Sequence, residues 1–302
     1  PTGYENMGWK DAGDAVLYPD GGMVKGPKAL CELQGYVYAA WLGMAEIFEA
    51  FGRPERAAAL RQKAATLFDR FNAVFWDEAW GGYAYALDGD KKPVLTSVSN
   101  IGHCLWAGIV RRDRAARVVQ RLMAPDMFSG WGIRTLSARH PAFNPLAYHN
   151  GSVWPHDNGL IALGFKRYGF VAEATRLARA MSDAASYFTL HQVPELFAGI
   201  GRDGTSFPVQ CPGANVPQAW AAGAAFSLLR AILGLEADAP AGCLYVDPSL
   251  PAWLPELTLT DLHVGSQVFT LRFAREENGD TEFEVLKGSP TAVLRGTRAA
   301  AK

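Results

Sequence analysis

The chain has 302 residues, 49% of them hydrophobic and 20% charged. That balance excludes an intrinsically disordered polymer and gives enough length for a sizeable core in one large or two smaller domains. With a formal net charge of −1, neither nucleic acid nor an acidic membrane is an expected partner, and no apolar run reaches the roughly 18 residues of a membrane span.

The first notable segment is GWKDAGDAV, residues 8–16, a Gly-flanked loop that places Asp11 and Asp14 just after Trp9. Residues 29–51 follow, apolar on most faces as in a buried helix. Gly52 ends that helix, and Pro54 opens an amphipathic helix over 54–76. The alternation of buried and half-exposed helices continues through 97–110, 112–123, 152–168 and 170–188, and 216–233 closes the series. Polar helix starts near Gln34, Asn100, Asp157 and Gln218 recur about every 60 residues, the length of two helices with their loops. This pattern predicts a mainly α fold of the (α/α)6 toroid type, with inner and outer helices alternating. About seven helices are visible where six hairpins need twelve, so earlier helices are expected in a preceding region, which the barrel would require for completion. Residues 236–242 read as a linker. LYVDPSLP, LTLTDLHVG, QVFTLRFARE and TEFEVLKG then read as a small antiparallel β region, with Phe269, Leu271 and Phe273 on one apolar face and a frayed tail from Thr297. The expected division is a helical catalytic region over 1–236 and a β-rich subdomain over 243–296.

The segment YHNGSVWPHDNG, residues 148–159, gathers Tyr148, His149, Asn150, Ser152, Trp154, His156, Asp157 and Asn158 at the mouth of an apolar helix. Buried polar groups must find partners. Aromatic rings beside amides, imidazoles and carboxylates suit the apolar faces and hydroxyls of a sugar; a polar hinge ahead of a helix would look similar. Glu195 follows Pro194 in an apolar loop, with His191 and Gln192 as candidate supports, and a long Gly/Pro-rich loop spans 199–220. Read as structure alone, Asp11 and Asp14 are turn residues and Glu195 a first-turn helix residue. Glycoside hydrolysis uses two carboxyl groups and no cofactor, and none is expected here. No phosphate-binding loop stands in strand context and no metal-ligand spacing is convincing. Cys31, Cys104, Cys211 and Cys243 form no CxxC pair, so structural zinc is not expected, whereas reduced thiols and a cytoplasmic location are.

In order and spacing, NMGWKDAGDAV, CELQGYVYAA, YHNGSVWPHDNG and VPELFAG…CPGANVPQAWA resemble bacterial amylo-α-1,6-glucosidase, or glycogen-debranching-type, proteins, relatives of the glucoamylase-like (α/α)6-barrel hydrolases. The resemblance runs from about residue 3 to about 290. It implies an inverting hydrolase of α-linked glucosides, its substrate an oligosaccharide or small glucoside, in which Asp11 of Trp9-Lys10-Asp11 is the general acid and Glu195 of Pro194-Glu195 the general base. It also implies that Trp9 is a stacking platform and that Asp14, Gln34, Tyr36, Tyr148, His149, Asn150, Trp154 and His156 line the glucose subsite. Two other readings fit the residues. One is a sugar isomerase or epimerase on a similar toroid, moving protons with His103, His149, His156 or His191. The other is a non-catalytic carbohydrate-binding or helical-repeat module.

Overall fold

The computed structural model describes residues 6–202 and 207–298; residues 203–206 of the Gly/Pro-rich loop and 299–302 of the tail lie outside the described residues. The predicted helices form as α1 (Cys31–Ala50), α2 (Pro54–Val74), α3 (Asn100–Ala107), α4 (Arg112–Leu122), α5 (Pro155–Arg167), α6 (Val171–Ala185) and α7 (Ala219–Leu233). α2 starts as the sequence dictates, with Pro54 in its first turn, where no intrahelical N–H bond is lost. α4 buries Ala115, Val118, Val119 and Leu122, the 3–4 spacing of one helix face, and α6 does the same with Ala174, Leu177, Ala178 and Met181. α3 begins later than the pattern predicts because Val98 pairs instead with Leu136 in an antiparallel bridge, and it ends at Gly108, whose φ of 82° suits glycine.

The helices pack as alternating hairpins. α1, α3 and α5 lie side by side, and α2, α4 and α6 each pack on the preceding member of that row. The α3–α5 approach depends on glycine at both contact points. A Cβ on Gly102 would stand 2.4 Å from Ile161 Cγ1, and one on Gly164 would stand 2.7 Å from the Trp106 backbone nitrogen. α1 departs from its expected burial. It packs on α2 and α3 and buries Cys31, Glu32, Gly35 and Ala45, but Val37, Met44 and Ile47 remain 40%, 41% and 48% exposed. Two neighbours cover only part of a helix that is apolar nearly all round.

Between α2 and α3 the chain folds into two-residue strands that the sequence pattern did not announce. These are β2 (Trp76–Asp77) with β3 (Gly82–Tyr83), and β4 (Ala86–Leu87), which lies between β1 (Ala29–Leu30) and β5 (Pro93–Val94).

The chain divides into two units, residues 1–225 and 226–302. The second holds two small sheets. β8 (Glu256–Val264), β9 (Gln267–Arg275) and β10 (Thr281–Lys287) form an antiparallel sheet with β9 in the centre, and Phe269, Leu271 and Phe273 of β9 are fully buried on one face as the alternation predicts. β7 (Cys243–Val246) pairs antiparallel with β6 (Glu236–Asp238) and parallel with β11 (Val293–Arg295). Residues 236–238 are thus strand, where a linker was expected. The tail is also tied at its start, where the Arg298 backbone N–H donates to Glu236 Oε2 at 2.8 Å.

Candidate active site

Four chain segments align edge to edge ahead of α5. Val153 bridges Arg134 on one side and Phe197 on the other, and Phe197 in turn bridges Gln210. The bonds Thr135 N to Ser152 O (2.9 Å), Val153 N to Phe197 O (2.9 Å) and Ala198 N to Val209 O (2.8 Å) hold this short ladder. It brings the 148–154 loop beside the 194–198 loop, so residues nearly 50 positions apart in sequence share one surface. Behind the ladder, Trp154, Leu196, Ala198 and Cys211 form a buried apolar cluster against which Trp9 packs.

Trp9 is the hub of the aromatic groups. His103 stacks on it with ring centroids 5.8 Å apart, and His149, Trp154 and His156 meet it edge-on at 5.9, 5.5 and 4.9 Å. Asp11 follows with its side chain 81% exposed, 3.3 Å from His149 Nε2 through Oδ1. Burial, with the charge of Lys10, pushes the His149 imidazole below its ordinary pKa, against the opposing pull of Asp11. His156 is pushed down to about 4 by burial, so both rings are neutral at pH 7. Buried Trp9 Nε1, His149 Nδ1 and both ring nitrogens of His156 have no hydrogen-bond partner among the described residues. Unpaired buried polar atoms are costly to a fold, so this cluster is offset by packing elsewhere.

Glu195 is buried in an extended loop, not in a helix turn, so the first-turn reading does not apply. Its Oε2 accepts from Asn215 N at 3.2 Å and Asn215 Nδ2 at 3.1 Å, and its Oε1 accepts from Gln218 Nε2 at 3.3 Å. The Tyr148 phenol lies beside Glu195; burial and this carboxylate raise it to about 12. Consecutive residues Tyr148 and His149 therefore contact Glu195 and Asp11 respectively.

The remaining predicted residues divide. Asp14 is exposed, and its backbone carbonyl accepts from Asn150 Nδ2 at 3.0 Å, so Asn150 braces the acidic loop. Tyr36 joins the cluster through its hydroxyl, 2.6 Å from His103 Nδ1, while His103 Nε2 lies 2.7 Å from Asp157 Oδ1. Two expectations need correction. Trp154 is 1% exposed and lies flat on His149 at 5.2 Å, with Nε1 donating to Tyr148 O at 2.9 Å; sealed from solvent, it backs the His149 ring and presents no face to a sugar. Gln34 donates to Leu30 O at 3.2 Å and lines a separate cleft of about 490 Å³ with Trp41, Lys63 and Phe71, because two residues along a helix turn a side chain to the far side. The acidic residue facing the cluster from α1 is Glu32, which is fully buried and accepts from Asn100 Nδ2 at 2.9 Å. His191 is exposed on a short 3-10 turn.

Sequence reasoning did not single out Trp220, whose ring lies parallel to His156 at 3.9 Å and is 41% exposed, nor Asn215, and it marked Gln218 only as a polar helix start. All three belong to the quoted CPGANVPQAW segment, where the signal was present but unassigned. Among the described residues, no group of three or more His, Cys, Asp or Glu side chains is arranged to hold a metal ion, and no helix is long and apolar enough to cross a membrane.

Solved structures share this architecture. A structure named sialidase superimposes with a TM-score of 0.71 at 13% identity over 89% of this chain and 26% of its own length. A GH63 mannosylglycerate hydrolase from Thermus thermophilus in complex with glucose superimposes with a TM-score of 0.52 at 21% identity, over 67% of this chain and 44% of its own. The fold is thus that of the α/α-hairpin glycoside hydrolases. Residues 3–197 match the mannosylglycerate hydrolase MGH1-like glycoside hydrolase domain, and the chain belongs to that family. The family is related to the glucoamylase-like group but is not specifically the debranching type that the motifs resemble. A mannosylglycerate hydrolase from a second strain of Thermus thermophilus is 30% identical over 140 residues, 44% of this chain and 32% of that protein, so the chain spans about a third of its relative's length.

Proposed function

We propose that the chain is the catalytic part of an inverting glycoside hydrolase acting on a small α-linked glycoside, with Asp11 as general acid and Glu195 as general base. Inversion requires an acid at the leaving oxygen and a carboxylate that activates water on the opposite face of the sugar. The observation that carries the reading is the Tyr148–His149 pair, two consecutive residues that touch Glu195 and Asp11, so that the carboxyl groups flank one short piece of backbone beside Trp9. Asp11 is open to solvent and can be reloaded with a proton after each turnover, whereas Glu195 is oriented by Asn215 and Gln218. Kinship with proteins named mannosylglycerate hydrolase adds mannosylglycerate to the α-1,6-linked glucosides as a substrate to assay.

The test uses the full-length polypeptide with mannosylglycerate and isomaltose, following the first-formed sugar by proton NMR. The expected product is the β-anomer, and Asp11→Asn and Glu195→Gln should each lower kcat by about 100-fold or more. An α-anomer would replace inversion with retention. Conversion of a free sugar without release of any group, lost in His149→Ala but kept in Glu195→Gln, would establish the isomerase reading instead. Sugar binding without turnover would establish the binding module.

A further inference from the structure

Resting on the assignment of Asp11 as general acid, we propose that Lys10 is the positioning residue of that acid: its buried ammonium pins the Trp9–Asp11 segment to the loop carrying Tyr148 and His149. Lysine is almost never fully buried without partners, yet Lys10 is 1% exposed although it lies between half-buried Trp9 and exposed Asp11. Its Nζ donates to Thr135 O at 2.6 Å and lies 5.5 and 5.4 Å from the ring centroids of Trp9 and Tyr85. Asp157 from α5 and Glu32 from α1 act on it with opposite charge, as does the Cys31 thiol when ionised. His149 feels its positive charge in turn. Burial draws its pKa down to about 8 against the pull of Asp157 and Glu32, so at neutral pH most of the population is still an ammonium ion.

Thr135 transmits this anchor. While its carbonyl receives Lys10, its backbone N–H donates to Ser152 O at 2.9 Å and its hydroxyl accepts from Gly151 N at 2.9 Å. Ser152 Oγ then donates to Tyr148 O at 2.7 Å. One continuous run of bonds therefore joins the side chain next to Asp11 to the backbone of the dipeptide that contacts both carboxyl groups. Asn6 and Asn150, both buried, secure the same loop through backbone carbonyls, Asn6 through those of Lys10 and Ala12 and Asn150 through that of Asp14. Lys10 adds the charged side-chain anchor that links this loop to Thr135. A general acid must reach the leaving oxygen within hydrogen-bond distance, and displacement by about 1 Å can cost on the order of 100-fold in rate.

Lys10→Met keeps the length and the apolar contacts with Trp9 and Tyr85 but removes the donor and the charge. The experiment compares this variant with wild type, Asp11→Asn and Glu195→Gln in the full-length polypeptide. Two substrates are used: the α-glycoside that turns over, mannosylglycerate or isomaltose, and the matching α-mannosyl or α-glucosyl fluoride, whose fluoride departs with little need of an acid. The expected result is a kcat about 30-fold lower on the glycoside, KM within about threefold, and a rate on the fluoride within about threefold of wild type. Asp11→Asn should show the same selectivity, and Glu195→Gln should lose both substrates. Equal loss on both substrates in Lys10→Met would make Lys10 a general packing residue and overturn the proposal, as would full activity on both. Absence of selectivity in Asp11→Asn would instead overturn the acid assignment. Should Lys10→Met fail to fold, Lys10→Arg retains the cation while displacing its donors; it is expected to show the same selective loss, and equal loss on both substrates or none would overturn the proposal.

Discussion

The carboxylate of Glu195 accepts hydrogen bonds from two nitrogens of Asn215 and one of Gln218, all on one neighbouring loop. Hydrogen bonds to a carboxylate are stronger than neutral ones, and Asn215 Nδ2 is the side-chain member that can be removed without disturbing the backbone donor. Asn215→Ala should therefore lower kcat about tenfold while leaving KM nearly unchanged, a loss of the size expected for one such bond when the base loses its aim; steady-state kinetics on the substrate that turns over checks this, and an unaltered kcat would show that the backbone donor and Gln218 suffice. Which residues of a helix start face the site depends on angle as much as on residue type. Glu32 and Tyr36, four apart on α1, share a face and both reach the polar cluster, while Gln34 between them looks the other way. The sequence marks polar residues at that start but does not say where the helical phase begins. Trp9 and His149 were recognisable because aromatic and imidazole groups stood in loops beside carboxylates. Trp220 and Asn215 were not, since their roles depend on a loop whose course has no periodic signal.

At the scale of elements, the close row of α1, α3 and α5 depends on small residues at the crossing points. A methyl group on Gly164 would meet the Trp106 backbone nitrogen at 2.7 Å and Leu105 Cβ at 2.9 Å, and backbone cannot step aside as a flexible side chain can. Gly164→Ala has a favourable helix propensity, but overpacking should outweigh it, with a net destabilisation of about 1–3 kcal/mol; urea denaturation followed by far-UV circular dichroism measures it, and a stabilised variant would mean that the helices can part without cost. The helices themselves were legible because α4 and α6 bury residues at 3–4 spacing and α2 buries Ala57, Ala64 and Phe71 two turns apart on one face, and β9 because it alternates. The two-residue strands β2 to β5 are too short to show any period. Strand β6 reads as linker because Glu-Ala-Asp carries no strand propensity; its pairing with Cys243–Val246 is a tertiary decision. The exposed flank of α1 was equally hidden, since apolar residues on every face report a helix that can be covered and not how much of it is.

For the whole molecule, the buried titratable groups beneath the site determine how stability responds to acid. His156 is held neutral, its pKa taken by burial from the ordinary 6.5 to about 4. Between those values the unfolded chain binds a proton that the folded chain refuses, so stability falls as pH drops from 6.5 towards 4, by about 3 kcal/mol in total for this one group. His149 has the same direction and cause. Glu32 opposes them: burial raises its pKa, so the folded state favours its protonated form, and acidification towards 4.5 relieves the cost of its charge. Asp126 is held down mainly by its hydrogen bond to Arg121, and its contribution is lost only below the ordinary carboxylate value of 3.8. Weakening between pH 6.5 and 4 is therefore imidazole-driven. His156→Phe isolates the effect, because phenylalanine can keep the flat contact with Trp220 but cannot take up a proton. Urea midpoints read by tryptophan fluorescence, with Trp9, Trp154 and Trp220 all in ring contact with His156, should fall with acidification in wild type and fall distinctly less in the variant. If the two slopes coincide over that window, His156 is protonated in the folded state at little cost, and the polar atoms around Trp9 have partners that the folded chain supplies by rearranging.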